Sequence, residues 1–210
     1  MSLWEMLKAA PLLSQPPLAI AVNVTVFVAV LLIVASVVID FRDYHRQNRE
    51  VVHGDRSWVE TGSMTGFFVV YYLVVRFRLG EVAMPYAVRS AMIVVGLALM
   101  IVGAVFNVVG RLHLKSNWAN QIKIYEGHWL VTTGPFSVVR HPLYASLVWM
   151  FLGGALIYSN VIALVLTFGV FVPMMYVRAK KEDALLREAF GARFDAYECS
   201  TGRLFPRMPR

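Results

Sequence analysis

The stretch LAIAVNVTVFVAVLLIVASVVI, residues 18–39, decides the class of this protein, because its 22 consecutive residues carry no charge. At a rise of about 1.5 Å per residue, a helix of that length crosses a hydrocarbon core of roughly 30 Å. The run is longer than a signal-peptide core, and neither a short basic start nor a small-residue cleavage site frames it. It therefore reads as a transmembrane helix. The rest of the chain agrees: 58% of the 210 residues are hydrophobic and 16% charged, too apolar for an ordinary soluble domain.

Working outward from that helix, four further apolar stretches read as spans. Residues 64–79 end in Arg76 and Arg78, which must snorkel to the interface. Residues 91–109 are uncharged and carry Gly96 and Gly103, small residues that let helices approach closely. Residues 142–158 and 161–177 are separated by only Ser159 and Asn160, a connection so short that it forces an antiparallel hairpin. Five spans place the termini on opposite sides. With the N-terminus outside, sixteen of the twenty Lys and Arg residues face inward, so the positive-inside rule puts the C-terminal tail in the cytoplasm. The expected fold is an all-α integral membrane protein of about five transmembrane helices, ending in a helical hairpin and an interfacial cytoplasmic helix.

The net charge of +7 belongs to this cytoplasmic rim, where anionic lipid headgroups are the expected partners and nucleic acid is not. No G-x-G-x-x-G fingerprint marks a soluble nucleotide-binding domain, and no G-x-S-x-G marks a serine nucleophile. The single cysteine, Cys199, excludes an internal disulfide. Among the five histidines, His45, His53, His113, His128 and His141 show no recurrent ligand spacing, and no metal is expected.

The chain divides near residue 110 into an N-terminal membrane region, residues 1–110, and a chemically dense region, residues 111–210. Residues 110–142 and 178–210 are dense in polar chemistry and lie on the same membrane face by the topology above. Thr133, Gly134 and Pro135 read as a turn, and Pro142 suits the first turn of the fourth span. The free amides of that turn, with Arg140, predict a positively biased pocket for an anionic group. Taken singly, Arg140 reads as an interface anchor, His141 as a helix-end histidine and Tyr144 as an aromatic-belt residue. All three fall within five positions, and the facing segment supplies complementary charge. There Arg178 and Glu182 lie four apart on one helix face, with Asp183 beside them. As a surface pair they contribute only about 0.3 to 0.5 kcal/mol. Leu186, Phe190, Phe194 and Tyr197 recur at helical spacing and predict a tail helix lying in the interface with that stripe down.

HWLVTTGPFSVVRHPLY, residues 128–144, followed after the hairpin by RAKKEDALLREAFGARFDAY, residues 178–197, resembles the isoprenylcysteine carboxyl methyltransferase and phospholipid methyltransferase superfamily. The similarity covers roughly residues 111–209; the order of its motifs is specific, and the first three spans carry none. The resemblance implies a helical membrane enzyme that uses S-adenosylmethionine, bound between the last spans and cytoplasmic segments. It further implies cofactor-pocket positions at Gln121, His128, Leu130, Val131, Gly134, Arg140, His141, Tyr144 and Glu182, with Trp118 a weaker carry-over. Arg178 and Glu182 match the catalytic positions. Phe136 stands where the family usually has tyrosine, and Ala145-Ser146 replaces a common glycine.

The implied substrate is a lipid or prenylated small molecule. A carboxylate acceptor of the isoprenylcysteine type needs only Arg178 to align it, whereas an amine headgroup must lose a proton to Glu182 or Asp183. A phospholipid or a small thiol stays open as acceptor. A membrane sterol-type reductase using NADPH is the competing class, but it needs H-R-x-x-R-D where this chain has R-A-K-K-E-D. A non-catalytic membrane scaffold is a third class and predicts no cofactor.

Overall fold

The computed structural model describes residues 17–47, 51–53, 58–114, 124–125 and 129–207. Its architecture is built from helices: α1 (Pro17–Gln47), α2 (Trp58–Arg76), α3 (Tyr86–Leu114), α4 (Pro142–Ile157), α5 (Val161–Phe190) and α6 (Ala192–Ser200). One short antiparallel ladder joins β1 (Val51–His53) to β2 (Ile124–Tyr125), a pairing that apolar periodicity does not foretell.

Each of the five expected apolar stretches is largely helical, but the second ends at Arg76, and residues 77–80 form a turn where the expected span ran on to 79. By length and composition α3 and α5 are long and apolar enough to cross a membrane; the apolar parts of the others, Ile20–Ala35, Gly62–Arg76 and Pro142–Ile157, are shorter. Large apolar side chains point outward along the bundle, including Phe27 at 66% exposure, Val94 at 65% and Val165 at 63%. An outward face of this kind suits lipid, since soluble domains avoid large exposed apolar patches.

Two packing devices set the frame. Gly96 and Gly103 do act as close-approach residues: a Cβ on Gly96 would lie 2.6 Å from the Gly153 carbonyl, and one on Gly103 would lie 2.9 Å from the Ser146 carbonyl. Helices α3 and α4 thus touch backbone to backbone. Between α2, α4 and α5 an aromatic cluster fills the core, with Phe67 stacked on Phe171 at 4.6 Å and the Tyr71 hydroxyl donating to the Phe151 carbonyl at 2.6 Å.

The α4–α5 connection is the expected tight hairpin. Ser159 takes a left-handed φ of 47°. Asn160 caps α5 by accepting from the Ala163 amide at 2.8 Å. Helix α5 then runs on through Phe190, with a π-helical turn at Thr167–Phe171 just before Pro173, whose ring nitrogen cannot donate to the preceding turn. The fifth apolar stretch and the polar segment after it are therefore one helix, which carries Arg178, Glu182 and Asp183 rigidly beyond the apolar part.

The tail departs from expectation. Gly191, with φ of 51°, ends α5, and α6 starts in a new direction. The stripe of Leu186, Phe190, Phe194 and Tyr197 is broken, and Phe194 and Tyr197 are buried inside the protein, not laid along an interface. Tyr197 docks α6 by donating to the Phe136 carbonyl at 2.6 Å. Helical periodicity read across a glycine overran a real helix end.

Candidate functional site

The site forms where α3 ends, α4 begins and the polar half of α5 continues. Leading into it, a 3-10 turn at Gly134–Ser137 starts from Gly134, whose φ of 60° favours glycine and whose Cα lies against the His113 imidazole with no room for a Cβ. Gly134 is therefore a close-packing residue against α3. Phe136, where a tyrosine hydroxyl was in question, is buried.

Arg140 and His141 are 7% and 4% exposed, and both converge on Asp183, which is 1% exposed. His141 Nε2 lies 2.7 Å from Asp183 Oδ1, and Arg140 Nη2 lies 3.3 Å from Asp183 Oδ2. Arg140 also donates to the Thr201 carbonyl at 2.5 Å and to Glu198 Oε1 at 3.0 Å. The backbone amides of Arg140 and His141 donate to the carbonyls of Gly202 and Arg203 at 2.8 and 3.1 Å. This corrects the expectation of an open anion pocket at the start of α4: the anion that Arg140 meets is the protein's own Asp183. A buried guanidinium demands such a partner, because an unpaired buried charge is costly.

A second set of contacts lies one turn further along. The Tyr144 hydroxyl donates to Glu182 Oε2 at 3.0 Å and accepts from Arg178 Nε at 2.9 Å, so it stands between the two charged residues. His141 Nδ1 lies 3.3 Å from the same Glu182 oxygen, and its ring stacks on Tyr144 with centroids 5.6 Å apart. Arg178 is buried and also reaches Met64 Sδ at 3.4 Å, which ties α2 to the site. The Glu182 side chain keeps 35% exposure, in contrast to the enclosed carboxylate of Asp183.

The charges reinforce one another. Burial alone raises a carboxyl pKa, but the hydrogen bonds and charge of His141, with the guanidinium groups of Arg140 and Arg203, outweigh it and hold Asp183 well below the usual carboxylate range. Glu182 is lowered in the same way: burial opposes ionisation, and the hydrogen bond and charge of His141 with the Tyr144 hydroxyl and Arg178 prevail. His141 is the reciprocal case: burial disfavours its cation, but the two carboxylates raise its pKa. Both acids are thus ionised and His141 tends to remain protonated between them.

Of the positions singled out in the sequence, Arg140, His141, Tyr144, Arg178 and Glu182 come together in one cluster. Leu130 and Val131 are half-buried on the approach to the turn. Gln121, His128 and Trp118 lie outside the described residues. Asp183 is the hub that sequence reasoning named only as a neighbour and possible base, although the second acid of Glu182-Asp183 was a visible signal. Glu198, Thr201 and Arg203 were missed, because only the turn at Gly191 returns them to the site. Ser146, in place of the common glycine, accepts from Asn107 Nδ2 at 2.8 Å, and Asn107 in turn accepts from Arg111 Nε at 2.9 Å. This polar link, with Asn107 and Ser146 fully buried, joins α3 to the start of α4.

Residues 94–188 match the model of the isoprenylcysteine carboxyl methyltransferase (ICMT) family. The match spans slightly less than half the chain, from within α3 to near the end of α5, and contains every member of the cluster from Arg140 to Asp183. The class of protein that the match points to is a methyltransferase. More particularly, the similarity of this region is to the isoprenylcysteine carboxyl methyltransferase superfamily. No curated protein matches the chain.

Proposed function

We propose that this protein is a multi-pass integral membrane methyltransferase that moves a methyl group from S-adenosylmethionine to a membrane-held, lipid-like acceptor, with a carboxylate of the isoprenylcysteine type as the preferred acceptor. In this reading all five apolar helices cross the bilayer, and the catalytic face and C-terminus are cytoplasmic. The observation that carries it is the joining of Arg140, His141 and Tyr144 on α4 to Arg178, Glu182 and Asp183 on α5, at the polar end of an otherwise apolar bundle and inside the family match.

The donor set fits the cofactor. Its α-ammonium calls for an accessible carboxylate, and Glu182 is the cluster's partly exposed acid, whereas Asp183 is consumed by three internal cations. Bound there, the cofactor supplies an electrophilic methyl on a sulfonium sulfur. The chain's own residues have the tasks of alignment and water exclusion. Glu182 would hold the ammonium, Tyr144 fixes the Glu182 carboxylate, and Arg178 would orient the acceptor.

The acid–base state favours a carboxylate acceptor. An amine must lose a proton before it attacks, and efficient bases have pKa values near the working pH. Glu182 and Asp183 are both lowered, so neither suits that role. A carboxylate acceptor is already ionised and needs only a cation to orient it.

Calorimetric titration of the detergent-purified chain tests the proposal, with S-adenosylhomocysteine and NADPH as separate ligands. Binding of S-adenosylhomocysteine alone is expected. Binding of NADPH alone, or of neither, refutes it. A scan of prenylcysteine, phosphatidylethanolamine and small-thiol acceptors with radiolabelled S-adenosylmethionine then reads the substrate class.

A further inference from the structure

We infer that Arg203, in the C-terminal segment beyond the family match, is a positioning residue that fixes Glu182 through Asp183 and His141. The inference rests on the methyltransferase reading and names a contributor to that same site.

After α6 the chain turns back sharply at Gly202, where a Cβ would collide with the Phe205 carbonyl. Residues 202 and 203 then run beside residues 139–141 as a short parallel bridge, accepting the Arg140 and His141 amides. This docking brings Arg203 over the Tyr176 ring of α5, with its guanidinium carbon 4.9 Å from the ring centroid. From there Arg203 Nε donates to Asp183 Oδ2 at 2.6 Å, the shortest contact that carboxylate receives.

The two oxygens of Asp183 therefore divide their work. Oδ2 faces the tail, and Oδ1 faces His141 Nε2 at 2.7 Å. The other imidazole nitrogen lies 3.3 Å from Glu182 Oε2, the acid proposed to hold the cofactor's ammonium. The chain of contacts is serial: Arg203, Asp183, His141, Glu182. With Arg203 removed, the carboxylate loses its shortest contact and keeps His141 and the two longer ones to Arg140, Nη2 to Oδ2 at 3.3 Å and Nε to Oδ1 at 3.4 Å, so it holds His141 less firmly. The Arg203 side chain is 22% exposed, so shortening it opens no enclosed cavity.

The test uses the full chain in detergent and reads S-adenosylhomocysteine affinity by calorimetry. Arg203→Met is expected to weaken binding about tenfold, and Arg203→Lys, which keeps the charge but loses the planar guanidinium stacked on Tyr176, to fall between Arg203→Met and the parent. In an Asp183→Asn background, Arg203→Met should cost less than about twofold more, because its route of action is already cut. Arg203→Gln serves as the second variant where Arg203→Met gives no folded protein, with the same non-additivity expected. Parent-like binding by Arg203→Met or Arg203→Gln, or equal losses in both backgrounds, overturns the inference and makes Arg203 a tail fastener only. A parent chain that does not bind S-adenosylhomocysteine is a distinct result, and it removes the methyltransferase reading itself.

Discussion

Asp183→Asn is the most informative perturbation of this fold. The substitution keeps shape and volume and removes one charge from a residue 1% exposed, on which Arg140, Arg203 and His141 converge. Removing one partner of a buried ion pair costs about 3 to 5 kcal/mol, because the remaining charge stays buried. Glu198 still lies 3.0 Å from Arg140 and 3.9 Å from Arg203, so the lower end, about 3 kcal/mol, is expected. For a chain of this size that corresponds to a fall in Tm of about 6 to 12 °C. The pH dependence adds a sharper signature. Asp183 has a lowered folded-state pKa, so its contribution is full above its ordinary value of 3.8 and fades as pH falls through the lowered value. His141 has a raised folded-state pKa, so its contribution is full below its ordinary value of 6.5 and fades as pH rises through the raised value. The gap in Tm between the parent and Asp183→Asn should therefore be widest between pH 3.8 and 6.5 and narrow above that window. Thermal melts in detergent from pH 4 to 9 read it directly. A gap below about 2 °C, or one that is flat across that range, would refute the burial and coupling argument.

Glu182→Gln and Arg178→Ala should each lower methyl transfer by at least about a hundredfold while leaving a folded chain by circular dichroism, and near-parent turnover would return that residue to a purely structural part. Tyr144→Phe deletes the hydroxyl that links them and is expected to reduce kcat about tenfold with a melting temperature close to the parent's, measured in the same assay. Gly153→Val should destabilise by more than about 2 kcal/mol, since even a Cβ there would lie 2.6 Å from the Gly96 carbonyl; an unchanged melting temperature would mean that α3 and α4 do not cross at that point. Asn107→Leu should cost about 1 to 3 kcal/mol by removing a buried amide bonded to Ser146 and Arg111 in the α3–α4 contact, read from the same melts.

Much of the site was legible because it is encoded locally. Arg140, His141 and Tyr144 fall within one turn of helix and its cap, and Arg178 with Glu182 follow the four-residue spacing of a single helix face. The hairpin forced by Ser159 and Asn160 brings the two segments to the same end. Charge counting found the pairing of opposite signs, but it assigned Arg140 to an external anion, because spacing does not report which of two neighbouring acids turns inward. Glu182 and Asp183 are adjacent in sequence and about 100° apart on the helix, and that angle leaves one partly exposed and seals the other.

By itself, the sequence determined the membrane class, the apolar helices, the α4–α5 hairpin and the motif residues that carry the family resemblance. Those are properties of runs and spacings, where composition and helical period act over a few residues. Only the tertiary structure decided that Asp183 is the hub, that Gly134 packs against His113, and that the tail folds back to bring Arg203 and the Thr201 carbonyl onto the R-H-P motif. These depend on the change of direction at Gly191 and on the packing that buries Phe194 and Tyr197. Contacts between residues twenty to sixty apart are chosen by which burial satisfies every charge at once, and no local pattern records that choice.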